Sequence, residues 1–376
     1  MSDFSIVNGQ VLLPAGFEEV PIRISDGLLA GIDEAAGNVI DARGAYVLPG
    51  IVDVHGDAFE RNLMPRPKVH FPPEIALHET DRQLVSNGIT TAYHGLTVSW
   101  EPGLRSFGHT REMCEAIARN RKTLSCDTLV HLRWETFALD DAEGVLEILE
   151  DQPHAILAFN DHTTKSALGK EKPHKFAQMA QRAGLPLDEF RALVERVWAR
   201  RADVEPMIAR MARRAREVGA TLLAHDEASV EQRRWFRNLG ALASEFPLTP
   251  ETAADARAHG EHVVLGAPNV VRGGSHNGAT DATAAISEGL CSVLATDYYY
   301  PAPLLAAFKL TREGVCDLAN AWELISKNPA EVAGLSGRGT IEPGKRADLI
   351  LVDATDMHHP QVKATFVAGK KVFDRI

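Results

Sequence analysis

The chain has 376 residues, 45% of them hydrophobic and 24% charged, with a formal net charge of −11. That length suits either several average domains or one barrel with a small satellite. The acidic balance argues against nucleic-acid and membrane-surface partners, since an anionic surface repels phosphate backbones and acidic lipids, but it permits a small anionic substrate in a locally basic pocket.

The opening residues, MSDFSIVNGQV, lack a basic segment followed by an apolar core, so no signal peptide is expected. No apolar run is long enough to cross a bilayer. Cys114, Cys126, Cys291 and Cys316 are scattered without a CxxC pair, which points to a reducing, cytoplasmic setting rather than a disulfide framework.

Residues 4–48 carry short β-type runs, "FSIVNGQVLL", "VPIRISDGLLAGID" and "NVIDARGAYVL", punctuated by Asn-Gly, Asp-Gly and Arg-Gly turn signals. The far end repeats that texture in "GTIEPGKRADLILVDA" and "KATFVAGKKVFD". A small β-sandwich domain built from residues 1–49 and 338–376 is the expected outcome.

Between them, residues 50–337 alternate short apolar runs with helical segments. The runs are "GIVDVH", "GITTAYHGL", "TLVHLRWE", "HAILAFNDH", "ATLLAHDEA", "ALASEFPLT", "HVVLGAPN" and "CSVLATDYY". Eight such runs predict an α/β fold of the (β/α)8 TIM-like barrel kind. A charged, arginine-rich stretch interrupts the rhythm and predicts a helical insertion at about 163–218, whose arginines are expected mostly on a solvated face.

Most of the runs end in polar residues, and catalytic groups of barrels sit at the C-terminal ends of the strands. His55 and Asp57, two apart on one strand, can face the same way and hold one cation. Glu135, His162, His225 and Asp297 close four later runs, and imidazole and carboxylate are ordinary ligands of zinc, manganese and iron. Each histidine alone could be a satisfied core residue, but six such residues ending successive runs point to a metal-dependent hydrolase.

Taken together, "VLPGIVDVHGD", the later histidines, the last-strand aspartate and "ISKNPAEVAGLSGRGTIEPGKRADLILVD" resemble the amidohydrolase superfamily. Within it, "PRPKVHFP", "HLRWE", "SEFPLT", "GAPNVVRGGSHNG" and "DYYYP" resemble the PhnM family of the carbon-phosphorus lyase pathway over nearly the whole chain. The resemblance implies hydrolysis of α-D-ribose 1-methylphosphonate 5-triphosphate to the 5-phosphate and pyrophosphate. It also implies His55, Asp57, Glu135, His162, His225 and Asp297 as the metal and catalytic set.

A pair of divalent cations, zinc first and manganese or iron after it, would then draw on His55 and Asp57 for one ion. His162 and His225 would serve the other, Glu135 would lie between, and Asp297 would act as general base. A homodimer would suit the superfamily. Two departures are visible: the family's Thr-Asp-Asn after the first-strand histidine reads Gly56, Asp57, Ala58, and its Asp-His-Ser/Thr-Pro-Gly-Gln reads "NDHTTKSALGK".

A triphosphate needs positive charge beyond the ions. Arg61, Arg66 and Lys68 follow the first strand, Lys165 enters near His162, and Asn269, Arg272 and His276 lie in "GAPNVVRGGSH". Two other readings remain open from sequence: an amidohydrolase or deaminase attacking a C–N bond, and a non-catalytic scaffold. The basic residues favour the anionic substrate.

Overall fold

Turn chemistry lays out the first strands of the computed structural model, which describes residues 3–66, 69–168, 173–274 and 281–375, without the side chains of 173–175. These strands are β1 (Phe4–Val7), β2 (Gln10–Leu13), β3 (Gly16–Glu18), β4 (Ile22–Ser25), β5 (Leu28–Ile32), β6 (Asn38–Asp41) and β7 (Tyr46–Pro49). Asp26 and Gly27 both take positive φ, 52° and 81°, where they join the antiparallel pair β4 and β5. Two such residues give the turn whose twist matches paired strands, so the Asp-Gly signal is read out as a hairpin.

Eight further strands form one parallel sheet in chain order: β8 (Ile51–Gly56), β9 (Ile89–Val98), β10 (Asp127–Glu135), β11 (Ile156–Asn160), β12 (Thr221–His225), β13 (Ala243–Glu245), β14 (His262–Gly266) and β15 (Val293–Ala295). Each coincides with one of the eight apolar runs. β8 meets β15 through a bridge between Gly56 and Asp297, so the sheet closes into a (β/α)8 barrel. Every residue of β8 and β9 is buried, as expected for strands covered on both faces.

The chain ends in β16 (Leu349–Asp353), β17 (Gln361–Val367) and β18 (Lys370–Asp374). They complete a six-stranded sheet, β18-β17-β16-β7-β2-β3, alongside a four-stranded sheet, β5-β4-β1-β6. Ile6, Ile22, Ile24, Val47, Leu351 and Phe366 are buried in the core common to these sheets, and the Phe4 and Phe366 rings stack at 5.6 Å. Burying each such side chain is worth about 1.5–3 kcal/mol, which lets two chain ends form one small sandwich.

Packing divides the chain into two compact units. One is Met1–Tyr93 with Asn120–Thr128 and Val264–Ile376; the other is His94–Arg119 with Leu129–Val263. In the second, four helices occupy the arginine-rich region: His162–Leu168, Pro173–Ala183, Leu187–Ala199 and Val204–Glu217. The last packs on the helix Ala142–Asp151 and on β12, as a crossover helix does, so the additional helices are the first three.

Those three share a small core of Ala167, Met179, Ala180, Phe190 and Val194. Arg200 and Arg210 make surface ion pairs with Asp140 and Glu143 at 2.7 and 2.6 Å, contacts that add little stability each. Among the described residues no helix is long and apolar enough to cross a membrane.

Candidate metal centre

In the first unit the main chain itself sets the site. Asp57 N donates to Asp297 O and Asp297 N donates to His55 O, both at 2.9 Å, so the ends of β8 and β15 are fixed to one another. The consequence is convergence: donor atoms of His55, Asp57 and Asp297 all lie within 4.8 Å of one another. His55 is buried, while the two carboxylates are partly open.

Asp297 has φ of 53°, the left-handed region that a residue with a Cβ enters at a cost of about 1–2 kcal/mol. Asp226 and Phe246, which directly follow β12 and β13, share that conformation at 57° and 51°. Backbone strain of this kind collects at functional sites, where it aims side chains that a relaxed turn would not.

Behind the trio sits Asp53, buried, whose carboxylate accepts from Thr296 N at 2.9 Å, Thr296 Oγ1 at 2.6 Å and His55 N at 3.3 Å. Burial pushes its carboxyl up to about 6 against the pull of these hydrogen bonds. Gly56 is explained by the same contact. A Cβ there would stand 2.7 Å from both Asp53 Oδ2 and Thr296 Oγ1, so the departure from threonine at this position is a steric requirement of the Asp53–Thr296 bond.

The basic residues divide. Arg61 Nη2 donates to Tyr298 O at 2.7 Å, and Arg272 Nη1 to Tyr298 Oη at 3.3 Å, so both arginines meet at the residue after Asp297. Asn269 lies in the same short helix as Arg272, Ala267–Arg272, and its carbonyl accepts from Gly273 N. Arg66 is exposed on its loop, and its side chain makes no hydrogen bond or ion pair to another described residue. Lys68 and His276 lie outside the described residues.

The second unit presents its candidates differently. Glu135 ends β10 fully buried, and its carboxylate accepts from Thr163 Oγ1 at 3.0 Å, Thr163 N at 3.2 Å and Asn160 Nδ2 at 3.3 Å. Burial raises the Glu135 carboxyl above its ordinary range despite the Thr163 contacts. His162 does not end a strand: β11 stops at Asn160, and His162 begins the following helix with its side chain 57% exposed. Asp161 separates the strand from that helix, and burial pushes its carboxyl up to about 6.

Asp226 gathers the two histidines, with Oδ2 lying 3.3 Å from both His162 Nδ1 and His225 Nδ1. Burial alone would raise the Asp226 carboxyl, but the two imidazoles outweigh it and hold it far below the carboxylate range. Burial opposes charge on His225 as well; Asp226 outweighs it, and the imidazole titrates above its ordinary value. Lys165 is exposed and lines a cavity of about 870 Å³ with Asp161, Phe137, Trp198 and Trp235.

Several neighbours escaped the sequence reading. Glu245 ends β13, buried, 3.7 Å from His131 Nε2 and 4.0 Å from His225 Nε2. The rule that barrel strands end in functional polar groups applied to "ASE" as much as to "RWE", and would have found it. Arg133 Nη2 lies 3.5 Å from His225 Nε2. Asp53 and Asp226 make their contacts through partners distant in sequence or in a strained conformation, and no local pattern marks them.

One imidazole and two carboxylates converging within 4.8 Å suit a divalent cation: the donors are of the right type, and small side-chain rotations would close them on one ion. A family model described as Amidohydrolase family matches residues 145–372. Over 372 residues the chain is 32% identical to alpha-D-ribose 1-methylphosphonate 5-triphosphate diphosphatase of Escherichia coli (strain K12), covering 94% of this chain and 95% of that protein.

Among solved structures, N-isopropylammelide isopropylaminohydrolase from Burkholderia multivorans ATCC 17616 matches with a TM-score of 0.68 and 17% identity, covering 99% of this chain and 98% of its own. N-acetylglucosamine-6-phosphate deacetylase from Pasteurella multocida matches with a TM-score of 0.64 and 11% identity, over 98% and 99% of the two chains. At such identities these two likenesses concern the fold alone.

Proposed function

The chain belongs to the amidohydrolase family, and from that premise we propose that it is a metal-dependent diphosphatase converting α-D-ribose 1-methylphosphonate 5-triphosphate into the 5-phosphate and pyrophosphate. The observation that carries this reading is the near end-to-end relation to the diphosphatase. The cluster of His55, Asp57 and Asp297 supports it.

These three residues would hold one divalent cation, and Glu135, His162 and His225 are the ligands offered to a second, with zinc the first candidate and manganese or iron next. Bound divalent cations neutralise phosphoryl charge and make water easier to deprotonate.

The remaining work falls to side chains. Asp297, held in its left-handed conformation at the end of β15, accepts the proton of the attacking water. The water oxygen bonds to the α-phosphorus as the anhydride bond to the β-phosphate breaks, and pyrophosphate departs with the electron pair. Asp57 and His55 keep Asp297 oriented through the paired main-chain bonds.

Phosphorus NMR of the metal-loaded protein with the ribosyl methylphosphonate triphosphate tests the reading. Pyrophosphate and the 5-phosphate should appear together at an enzymatic rate and stop on chelation. No pyrophosphate, beside turnover of an amide or amidine library, would overturn it.

A further inference from the structure

Tyr298 joins two arginines that arrive from distant parts of the sequence. Arg61 stands in the last turn of the short helix Glu60–Leu63, just beyond β8, and Arg272 is the last residue of Ala267–Arg272, just beyond β14. One reaches the Tyr298 carbonyl and the other its phenol oxygen, so a single residue is hydrogen-bonded to both guanidinium groups. Arg61, Arg272 and Tyr298 are all exposed.

Two exposed guanidinium groups are thereby hydrogen-bonded at the two ends of one residue, the main-chain carbonyl and the phenol of Tyr298. Guanidinium groups suit phosphate oxygens because their N–H donors match them in pairs, and a polyphosphate offers oxygens to both. Position narrows the choice of anion. Tyr298 directly follows Asp297, the residue assigned to the attacking water, so the group held there adjoins the phosphorus under attack.

On the reading of the chain as a triphosphate diphosphatase, we infer that Arg61, Arg272 and Tyr298 form the subsite for the departing pyrophosphate, with Tyr298 as the positioning residue. Charge matching agrees. The leaving pyrophosphate is the most anionic part of the substrate and gains charge as the anhydride bond breaks, when donors already in place lower the barrier most. The phosphonate at the other end of the sugar gains none.

The test is calorimetric titration of the metal-loaded protein with two probes, inorganic pyrophosphate and methylphosphonate, for wild type, Arg61→Ala, Arg61→Lys, Arg272→Ala and Tyr298→Phe, with metal content and melting temperature measured on each. Each alanine variant should weaken pyrophosphate binding by about 10–100-fold, the loss expected of a charge-assisted contact, and leave methylphosphonate binding unchanged. Tyr298→Phe should weaken pyrophosphate binding by a smaller factor, and Arg61→Lys should restore part of what alanine loses.

Pyrophosphate binding equal to wild type in both alanine variants would overturn the subsite, as would equal weakening of both probes. The two claims fail separately. A wild type that is inert towards the triphosphate yet binds pyrophosphate through these arginines would remove the diphosphatase reading and keep the subsite. Turnover of the triphosphate with arginine-independent pyrophosphate binding would do the reverse.

Discussion

The candidate ligands of the first unit and those of the second are prepared in opposite ways. His55, Asp57 and Asp297 are aligned by main-chain hydrogen bonds between β8 and β15, and their donor atoms already converge. Glu135 is instead occupied by Thr163 and Asn160, and His162 and His225 share one oxygen of Asp226. Main-chain pairing preorganises the donor atoms of the first group, whereas the second must exchange its contacts with Thr163, Asn160 and Asp226 for an ion. Ion binding should therefore begin with the first group.

The largest effect should follow from the residue on which the first group turns. Asp297→Asn keeps the shape but cannot take a proton, and kcat for pyrophosphate release should fall by about 10²–10⁴-fold with melting temperature unchanged. A variant retaining most of its rate would show that another base serves.

Next in size is the support behind that group. Thr296→Val removes the hydroxyl that fixes Asp53, and zinc affinity by calorimetry should drop about 10–100-fold. The counterpart, Thr163→Val, removes one of the contacts occupying Glu135 and should leave ion affinity unchanged or raise it. Equal losses in both would erase the contrast between the groups.

Gly56→Ala pushes a methyl against the Asp53–Thr296 bond and should cost about 1–3 kcal/mol in denaturant unfolding, with zinc affinity weakened in the same direction. A stable variant of unaltered affinity would separate Gly56 from that bond.

The smallest effect on the site is expected from a pair remote from it. Asp127 accepts from Arg338 at 2.7 Å and Arg346 at 2.6 Å. Burial would raise its carboxyl, but the two guanidinium groups outweigh it and hold it below the ordinary range. A lowered carboxyl stabilises the fold above its unfolded pKa, near 3.8, and that contribution is lost as pH falls through the folded value. Asp127→Asn should thus cost about 1.5–3 kcal/mol at pH 7, with the gap to wild type closing below about pH 4 and zinc affinity unaffected.

The same contrast governs what the sequence could reveal. Short apolar runs marked all eight barrel strands, and Asp26-Gly27 marked its hairpin, because both signals are local. Asp57 and Asp297 were legible as strand-end carboxylates. His162 lies beyond its strand although "FNDH" continues an apolar run, because β11 stops at Asn160 and His162 already opens the following helix, a boundary that the run itself does not mark. Asp53 and Tyr298 were out of reach: their partners lie 243 and 237 residues away, and only the folded barrel brings those together.

Attack at the α-phosphorus is the claim on which Asp297 and the arginine pair both depend, and isotope placement tests it most directly. Hydrolysis of the ribosyl methylphosphonate triphosphate in water enriched in oxygen-18, followed by phosphorus NMR of the products, should put the label in the 5-phosphate and none in pyrophosphate. Label in the pyrophosphate would place the attack on the β-phosphorus and contradict the account.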